Sequence, residues 1–348
     1  MSKLEIDFLP VNSKGKSGDC ITLRYTKTDS WNDQKVITID GGTLESGDNL
    51  IGHLEKYYNT NKIDLAILTH PDGDHASGMR RIIENCTVKK IWMHEPWEHS
   101  ERIRKKFQDG RITDNSLNER IKNAYNFAKE ISEMAEEKDI TIVHPFSGTS
   151  FDDVLRVISP SKSYYESLLP NFSRTPEPKE RTIMEKTFST LEKAINWVKE
   201  TLTYETLDEE GKTSFENMSS VISMLQLDGR RYLFTGDAGM EAFHKGIEYC
   251  NDKLIDISYV NLLQVPHHGS KRNISPSILD TIKCRSAFIS ASKDSDKHPS
   301  RKVTNALYRR DAKVFTTEGS ILRHHYNAGE REGFSNANPL PFYNEVQE

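Results

Sequence analysis

The sequence is poor in cysteine and has no long apolar run. Its cysteines, Cys20, Cys86, Cys250 and Cys284, are scattered, and no two have the Cys-x-x-Cys spacing. This scatter argues against a disulfide framework and against a zinc site made of thiolates. No apolar stretch approaches the roughly 20 residues that a membrane-spanning helix needs. The N-terminal MSKLEIDFLPV also lacks a signal-peptide pattern, so we expect a cytoplasmic protein with no membrane segment.

An excess of positive charge is missing as well. The chain has 47 Lys and Arg against 52 Asp and Glu, which gives a formal net charge of -5. Its surface as a whole is therefore not that of a basic nucleic-acid-binding protein. A local basic patch is still compatible with this composition, and the segment RIRKKF at residues 102–107 is one candidate.

Short β-rich runs alternate with helical patterns at both ends of the chain. The early runs are LEIDFLPV, CITLRY, VITID and IDLAILTH, the last of which is apolar on both faces, as in a strand buried between two layers. Helices are predicted at residues 50–59 and after HASGM. In the last third, SSVISMLQLDGRRYLFTGDAG predicts a hairpin that turns at DGR. The alternation predicts one α/β domain over residues 1–348, with a short tail from about 333.

The middle of the chain, residues 100–215, follows a different pattern. It is rich in charge, and one apolar stripe recurs at helical spacing (Leu117, Ile121, Ala124, Ala128, Ile131, Ala135) after the cap candidates TDNS. A second helix is predicted from Phe188, Leu191, Ile195, Val198 and Leu202, and LPNFSRTPEPKE between them predicts an exposed linker. We interpret this region as a helical insertion. It would cover one edge of the core, or form a lid, a substrate clamp, or a surface for a protein partner or a second copy.

The stretch THPDGDH, directly after the apolar run IDLAIL, concentrates four ionisable side chains in six residues. They are His70, Asp72, Asp74 and His75. Imidazole and carboxylate are both good ligands for divalent cations. The structural alternative is a polar turn in which the aspartates cap backbone N–H groups.

Two later strands end in the same kinds of residue. YLFTGDAG places Asp237 at a strand end, and LLQVPHHGS does the same for His267 and His268. Because loops at strand ends converge on one pocket, these residues are expected to meet the THPDGDH turn. The three segments together predict a metal site. Asp40 in IDGGT also ends a strand, where it would support a ligand by a hydrogen bond.

These segments resemble the metallo-β-lactamase superfamily, whose first motif is His-x-His-x-Asp-His. Within it they are most similar to the soluble hydrolase domain of competence DNA-uptake channel proteins, which has His-x-Asp-x-Asp-His, as this chain does. Further similar segments are SGDCITL, IDGGT, ENMSSVISML, LFTGDA, VPHHGSK, HPSRKV and VFTTEGSI. The resemblance implies a four-layer αββα sandwich with two metal ions along one edge.

The resemblance also implies a ligand set. His70 and Asp72 would bind one divalent metal ion, and Asp74, His75 and His268 the other, with Asp237 bridging them. The family's third histidine at the first ion has no counterpart here, because FENMSS occupies its place. Asn217 is the nearest candidate and Glu216 the second.

The oxygen donors of this set suit Mn²⁺ or Mg²⁺ better than zinc. We therefore expect two manganese or magnesium ions, with zinc or a mixed site as the alternative. A further alternative is that the first site is weak and only the second ion is held tightly.

A two-metal site suits phosphodiester hydrolysis, since two cations about 3.5–4 Å apart can stabilise both the attacking and the leaving oxygen. Asp74 or Asp237 would orient the attacking water, and His267 would serve as an acid or support a ligand. Lys271, Arg272 and His298 are candidates for contacts with the substrate.

The leading hypothesis is a DNA nuclease, because of the resemblance to the competence domain. Two alternatives remain, since a fold does not fix a substrate. One is a hydrolase of a small ester, lactone, thioester or nucleotide from the same superfamily. The other is a non-catalytic metal-binding scaffold.

Overall fold

The computed structural model describes residues 1–11, 15, 17–179 and 197–347. Its strands are, in chain order, β1 (Lys3–Phe8), β2 (Ile21–Thr26), β3 (Lys35–Ile39), β4 (Lys62–Ile63), β5 (Leu65–Ile67), β6 (Thr87–Val88), β7 (Lys90–Trp92), β8 (Thr141–Val143), β9 (Ser150–Phe151), β10 (Leu155–Ser159), β11 (Trp197–Lys199), β12 (Ile222–Leu227), β13 (Arg230–Phe234), β14 (Tyr259–Gln264), β15 (Lys283–Ile289), β16 (Lys313–Thr316), β17 (Leu322–Tyr326) and β18 (Glu345–Gln347).

The helices are α1 (Leu44–His53), α2 (Gly73–Asn85), α3 (Ser100–Ile103), α4 (Asp114–Ala124), α5 (Asn126–Glu137), α6 (Lys162–Leu168), α7 (Phe215–Met218), α8 (Met240–Asp252), α9 (Pro276–Thr281) and α10 (Arg301–Arg309). Over the described residues, no helix has the length and apolar character needed to cross a bilayer.

Two large sheets carry the fold. The first has the strand order β17-β1-β2-β3-β5-β7-β8 and the second β16-β15-β14-β13-β12-β10-β9, with seven strands each. In the first sheet the pairs from β3 to β8 are parallel, and in the second those from β13 to β16 are parallel. The remaining pairs in both sheets are antiparallel. Each sheet therefore has a parallel half whose strands all end at the same edge.

Successive side chains of β5 lie in two different apolar cores, one on each face of the first sheet. Leu65 and Ile67 lie in the apolar core between the two sheets, with residues such as Leu225 and Phe234 of the second sheet. Ala66 and Leu68 lie in the other core cluster, which includes residues of the helices. Because successive side chains of a strand point to opposite faces, a strand buried on both faces must be apolar throughout. This arrangement confirms the predicted buried strand and the αββα sandwich.

Two local predictions need adjustment and one is confirmed. The helix expected at 50–59 begins earlier, at Leu44, and its last turn over Leu54–Tyr58 is a π-helix. The helix expected after HASGM already begins at Gly73, inside the motif. The hairpin of β12 and β13 turns at Asp228 and Gly229 as predicted, and both residues have positive φ, which suits a tight hairpin turn.

The middle region contains helices α3 to α6. The apolar stripe expected over 117–135 is buried except at Ala124, which is partly buried. The chain bends at Tyr125, so the stripe belongs to two helices, α4 and α5. Two of the cap candidates, Thr113 and Ser116, form a capping box at the start of α4. The interpretation of residues 100–215 as an insertion stays a prediction.

Three other predictions for the middle and the end of the chain have different outcomes. The predicted helix around Phe188 to Leu202 falls largely on residues 180–196, outside the described residues, and its described end forms strand β11 instead. The predicted exposed linker is partly wrong, because Leu169 and Phe172 are buried. The predicted C-terminal tail ends in β18, which pairs with β11 and buries Val346 completely.

Candidate metal centre

Asp40 organises the first half of the site. It follows β3, is fully buried and has a positive φ of 55°. Its carboxylate accepts hydrogen bonds from the backbone N–H of Thr69 at 2.8 Å and from the Thr69 hydroxyl at 2.7 Å. His70 Nδ1 lies 3.0 Å from the same hydroxyl oxygen. Because the hydroxyl hydrogen goes to Asp40, this oxygen accepts from Nδ1–H, and the lone pair of His70 is left on Nε2.

His75 is held in the same way. It lies in the first turn of α2, and its Nδ1 donates to Asp40 at 2.7 Å. Its Nε2 faces Asp237 Oδ1 across 3.4 Å. A carboxylate behind the imidazole fixes both the tautomer and the orientation of a metal-binding histidine. Asp40 therefore fixes the orientation of both rings, that of His75 directly and that of His70 through Thr69, so that both Nε2 atoms are free to bind a metal.

The two aspartates of the motif lie at the start of α2. Asp72 occupies the N-cap position, yet its side chain forms no capping hydrogen bond with the described residues. Its Oδ2 lies 3.7 Å from His70 Nε2 instead. Asp74 has a carboxylate oxygen within 4.8 Å of ligand atoms of His75 and His268. The capping role that was the structural alternative for Asp72 is therefore not seen.

Asp237 comes from the second sheet, directly after β13. Its Oδ2 lies 3.9 Å from His70 Nε2, and its Oδ1 lies 3.8 Å from His268 Nε2. The two sheets touch closely here, because a Cβ on Gly236 would approach the Thr69 hydroxyl to 2.8 Å. Gly236 also has a positive φ of 50°. Only glycine satisfies both conditions, which explains the Thr-Gly-Asp sequence.

His267 and His268 are presented by an unusual turn after β14. Both have left-handed backbone conformations, with φ of 48° and 57°, and Gly269 follows with φ of 80°. Consecutive non-glycine residues in this region are uncommon and concentrate at functional sites. His267 Nε2 lies 3.6 Å from Asp237 Oδ2, so both imidazoles reach the same carboxylate.

The buried polar atoms of this cluster fit a cation. His70 Nε2, His75 Nε2, His268 Nε2 and Asp237 Oδ1 are buried without a hydrogen-bond partner in the part of the chain that the structure describes. Buried polar atoms normally form hydrogen bonds, so four neighbouring atoms without such a bond need an explanation. His70, His75 and Asp237 place ligand atoms within 4.8 Å of one another, as do Asp74, His75 and His268. Metal ligation would satisfy all these atoms at once.

The buried charges of the cluster shift one another's pKa values. Burial raises the pKa of Asp237, but the imidazoles of His267, His75 and His268 together outweigh it and hold that pKa well below its ordinary value. Burial lowers the pKa of His268 to about 4, although Asp237 opposes the shift. A neutral imidazole and an ionised carboxylate are the forms that ligate metals. Both groups are therefore ready to bind a cation near neutral pH.

Asp19 was not among the predicted site residues. It is buried, accepts from Gln264 Nε2 at 2.7 Å, and has an oxygen within 4.8 Å of ligand atoms of Asp237 and His268. Burial, aided by the charges of Asp237 and Asp40, raises its pKa to about 7. The signal in the sequence was SGDC, a polar turn before an apolar strand, but nothing nearby resembled a ligand pattern.

Asn217, the predicted substitute for a third histidine, has its side-chain atoms engaged. Its Oδ1 accepts from Ser214 Oγ at 2.8 Å, and its Nδ2 donates to Thr213 Oγ1 at 2.9 Å. Its Nδ2 also lies 3.4 Å from His267 Nδ1. Glu216, the second candidate, accepts from the Tyr125 hydroxyl at 2.8 Å. Both side chains are therefore held by protein hydrogen bonds, and their role as metal ligands stays a prediction.

A cleft of about 430 Å³ opens over the cluster. Its described lining includes Asp74, His267, His268 and His298, so the structure brings His298 to the site as predicted. Lys271 and Arg272 are not among the described residues that line it. Its lysine is Lys297, which the sequence did not single out.

A sequence comparison with known protein families agrees with this architecture. Residues 31–155 match the sequence model of the Metallo-beta-lactamase superfamily. The chain has the metallo-β-lactamase fold. Members of this superfamily are mostly hydrolases, and the fold implies divalent metal ions.

Individual relatives are distant. ComE operon protein 3 of Bacillus subtilis is 28% identical over 104 residues, which cover 30% of this chain and 13% of that protein. Among solved structures, the metallo-beta-lactamase fold protein YhfI of Bacillus subtilis is 8% identical, with a TM-score of 0.40 over 92% of this chain and 99% of that chain. Zn²⁺-bound PqqB of Methylobacterium extorquens is 9% identical, with a TM-score of 0.43. The match covers 91% of this chain and 99% of that chain.

Proposed function

We propose that this protein is a metal-dependent phosphodiester hydrolase that cleaves DNA. The observation that carries the proposal is the mixed ligand cluster, in which the carboxylates of Asp72, Asp74 and Asp237 face three imidazoles whose Nε2 atoms have no described hydrogen-bond partner. A site rich in oxygen donors suits Mn²⁺ or Mg²⁺, the ions most often used on phosphate esters.

The residues of the cluster would divide two cations between them. His70 and Asp72 would hold one, Asp74, His75 and His268 the other, and Asp237 lies within reach of both groups. Divalent cations bound there would supply Lewis acidity and lower the pKa of a coordinated water toward ~7.

His267 is the side chain best placed to move a proton. Its side chain is 29% exposed, so it faces the cleft, while its Nε2 lies 3.6 Å from Asp237 Oδ2. Its Nδ1 donates to Asn273 Oδ1 at 2.9 Å, which fixes the ring. Asn273 is itself oriented, because its amide donates to the carbonyl oxygens of Asp237 and Ala238. In this pose Nε2 can take a proton from water and return it to a leaving oxygen.

DNA as the substrate is supported by the resemblance of His-x-Asp-x-Asp-His to the competence domain. The partial match to ComE operon protein 3 points the same way. A small-molecule hydrolase is the second candidate, because the cleft volume of about 430 Å³ suits a small ligand. Asp294 and Asp296 on its rim would also repel a polyanion.

A direct assay separates these functions. The purified protein is incubated with plasmid and linear DNA in Mn²⁺, Mg²⁺ or Zn²⁺, beside an Asp74→Ala, His75→Ala double variant. Cleavage by the wild type alone supports the proposal. Hydrolysis of bis(p-nitrophenyl) phosphate without DNA cleavage under any of these ions favours the small-molecule alternative. No activity and no bound metal by elemental analysis would leave a non-catalytic scaffold.

A further inference from the structure

Three arginines line a groove on the helical region before residue 180. We call it the arginine groove and define it by Arg111, Arg120 and Arg174, whose side chains are exposed. Its volume is about 750 Å³, and two carboxylates, Asp109 and Glu177, also line it. Nothing in the candidate metal centre uses these arginines, so the groove needs an explanation of its own.

The groove lies in a basic part of an acidic chain. Residues 100–124 contain seven Lys and Arg (Arg102, Arg104, Lys105, Lys106, Arg111, Arg120, Lys122) and four Asp and Glu (Glu101, Asp109, Asp114, Glu119), a local balance of +3. The whole chain has a net charge of -5. An excess of positive charge in one segment raises the local concentration of anions. An anionic partner is therefore favoured here, although not over the surface as a whole.

The guanidinium groups are available for a ligand. The side chain of Arg111 is 94% exposed, and its contact with Asp109 at 3.3 Å is a solvent-screened surface pair. Within the described part of the chain, Arg120 has no ion-pair partner. The guanidinium group of Arg174 is held by one hydrogen bond, from its Nη1 to the carbonyl oxygen of Ala124 at 3.0 Å. It also lies 5.7 Å from the centre of the Tyr125 ring.

Residues next to the groove contact Glu216, which lies beside the metal centre. Ser173, the neighbour of Arg174, donates its N–H and its hydroxyl to Glu216 Oε1 at 2.7 and 2.6 Å. The Tyr125 hydroxyl donates to the same oxygen at 2.8 Å. Glu216 also contributes to the electrostatic surroundings of Asp72.

A second contact runs through Phe127, at the start of α5. A Cβ on Gly73, the residue between Asp72 and Asp74, would come within 2.7 Å of the Phe127 ring. The ligand loop is therefore packed against α5, the helix that follows directly after α4, which carries Arg120.

We propose that the arginine groove binds the phosphate backbone of the substrate strand next to the cleavage site. This inference rests on the proposed nuclease function. The geometry suits the task, because Arg120 precedes Ala124 by one turn of α4, about 6 Å along the helix. A DNA strand carries one phosphate per about 3.4 Å of axis. Because Arg174 is held at Ala124, one turn from Arg120, a strand that enters the groove would meet both guanidinium groups within a few nucleotides.

Arginine is the residue expected in such a groove. Its planar guanidinium pairs with two phosphate oxygens at once, and phosphate contacts position a nucleic acid without reading its bases. The groove therefore predicts binding that depends on salt and on strand length but not on sequence. It would also offset the repulsion from Asp294 and Asp296 at the rim of the cleft.

The test compares two triple variants. Arg111→Ala, Arg120→Ala, Arg174→Ala removes the groove. Lys253→Ala, Lys283→Ala, Lys313→Ala removes the same charge from exposed positions, two of which begin strands β15 and β16 and so lie at the opposite edge of the second sheet. Binding of a short fluorescein-labelled single-stranded DNA is measured in EDTA over a range of salt concentrations. Cleavage of the same DNA and of bis(p-nitrophenyl) phosphate is measured with metal.

The groove variant is expected to bind DNA about tenfold more weakly than the lysine control. Its plot of log K against log salt should be shallower by about 2, since each lost contact on a single strand removes about 0.7. Its rate on DNA should fall tenfold or more relative to its rate on the small diester. If the wild type cleaves DNA and both variants keep its salt slope and rate ratio, the groove proposal is wrong and the nuclease proposal stands. A wild-type protein that neither binds nor cleaves DNA overturns both.

Discussion

His75 Nδ1 lies 2.7 Å from Asp40 Oδ2, and this contact joins the end of β3 to the first turn of α2. Asp40→Asn keeps the shape of the side chain but removes the charge that selects the Nδ1–H tautomer of His75. We expect metal affinity to fall 10- to 100-fold, the usual cost of losing such a partner. Calorimetric titration with Mn²⁺ measures this change. Asp252→Asn, an exposed substitution at the end of α8, is the control and should bind like the wild type.

Asp72→His tests why an aspartate occupies that position. Its Oδ2 lies 3.7 Å from His70 Nε2, so an imidazole there would add a nitrogen donor beside His70. We expect the ratio of zinc to manganese affinity to rise at least tenfold, because imidazole suits zinc better than it suits manganese. Competition between the two ions, followed by elemental analysis, measures the ratio. An unchanged ratio would mean that Asp72 does not contact the metal.

The two adjacent histidines should separate into different roles. Asparagine tolerates their left-handed backbone, so His267→Asn and His268→Asn avoid added strain. We expect His268→Asn to lose bound metal, and His267→Asn to keep its metal while kcat falls about 10²- to 10⁴-fold, the usual value for a proton-transfer group. Metal content and steady-state rates across pH distinguish the two. Loss of metal from His267→Asn, with metal retained by His268→Asn, would reverse the assignment.

Asp7 predicts how stability depends on pH. Burial raises its pKa, but His53 and Arg331 outweigh burial and hold the pKa below its ordinary value of 3.8. A carboxyl with a lowered folded-state pKa stabilises the fold above the unfolded-state pKa, and this stabilisation is lost as the pH falls below it. Asp7→Asn should cost about 3 kcal/mol of unfolding free energy at neutral pH and flatten the loss below about pH 4. Urea unfolding at neutral pH and below pH ~4 measures the free energy of unfolding. Asp33→Asn, an exposed substitution, is the control.

Gly78 tests the packing that supports the ligand loop. It lies on α2, where a Cβ would collide with the carbonyl oxygens of Gly41 and Thr43. Gly78→Ala should destabilise the protein by about 1–3 kcal/mol through overpacking. Gly52→Ala is the matched control in α1, where a Cβ would meet open space, and it should stabilise by about 0.5–1 kcal/mol. Thermal unfolding measures the stability of both variants. Equal effects of the two substitutions would contradict the role of close packing at Gly78.

Much of this site is predictable because its residues follow apolar strands. Since β5, β13 and β14 each end close to a candidate ligand, the sequence alone indicates that His70, Asp237 and His268 meet at one edge. The hydrogen bond that fixes His75 is less accessible to such reasoning. For Asp40 the sequence suggests only a general support role, since the contact spans 35 residues.

Other features depend on geometry that the sequence does not show. Asp19 approaches Asp237 only when the two sheets dock, and its partner Gln264 lies 245 residues away. The left-handed conformations of His267 and His268 run against their ordinary preference, so no local pattern predicts that both imidazoles reach Asp237. Lys271 and Arg272 are candidates only because they follow the His267–His268 turn in the chain, and neither is among the described residues that line the cleft.

The contact of Gly236 with Thr69 has a consequence for the stability of the whole sandwich. It brings residues of both sheets to a single point, so a cation held there would act as a cross-link between the two halves of the molecule. Such an ion binds the docked arrangement and not the separated sheets, and it adds its binding free energy to the cohesion of the pair. Opening of either half would then release the ion, and resistance of the two halves to proteolysis would rise and fall together.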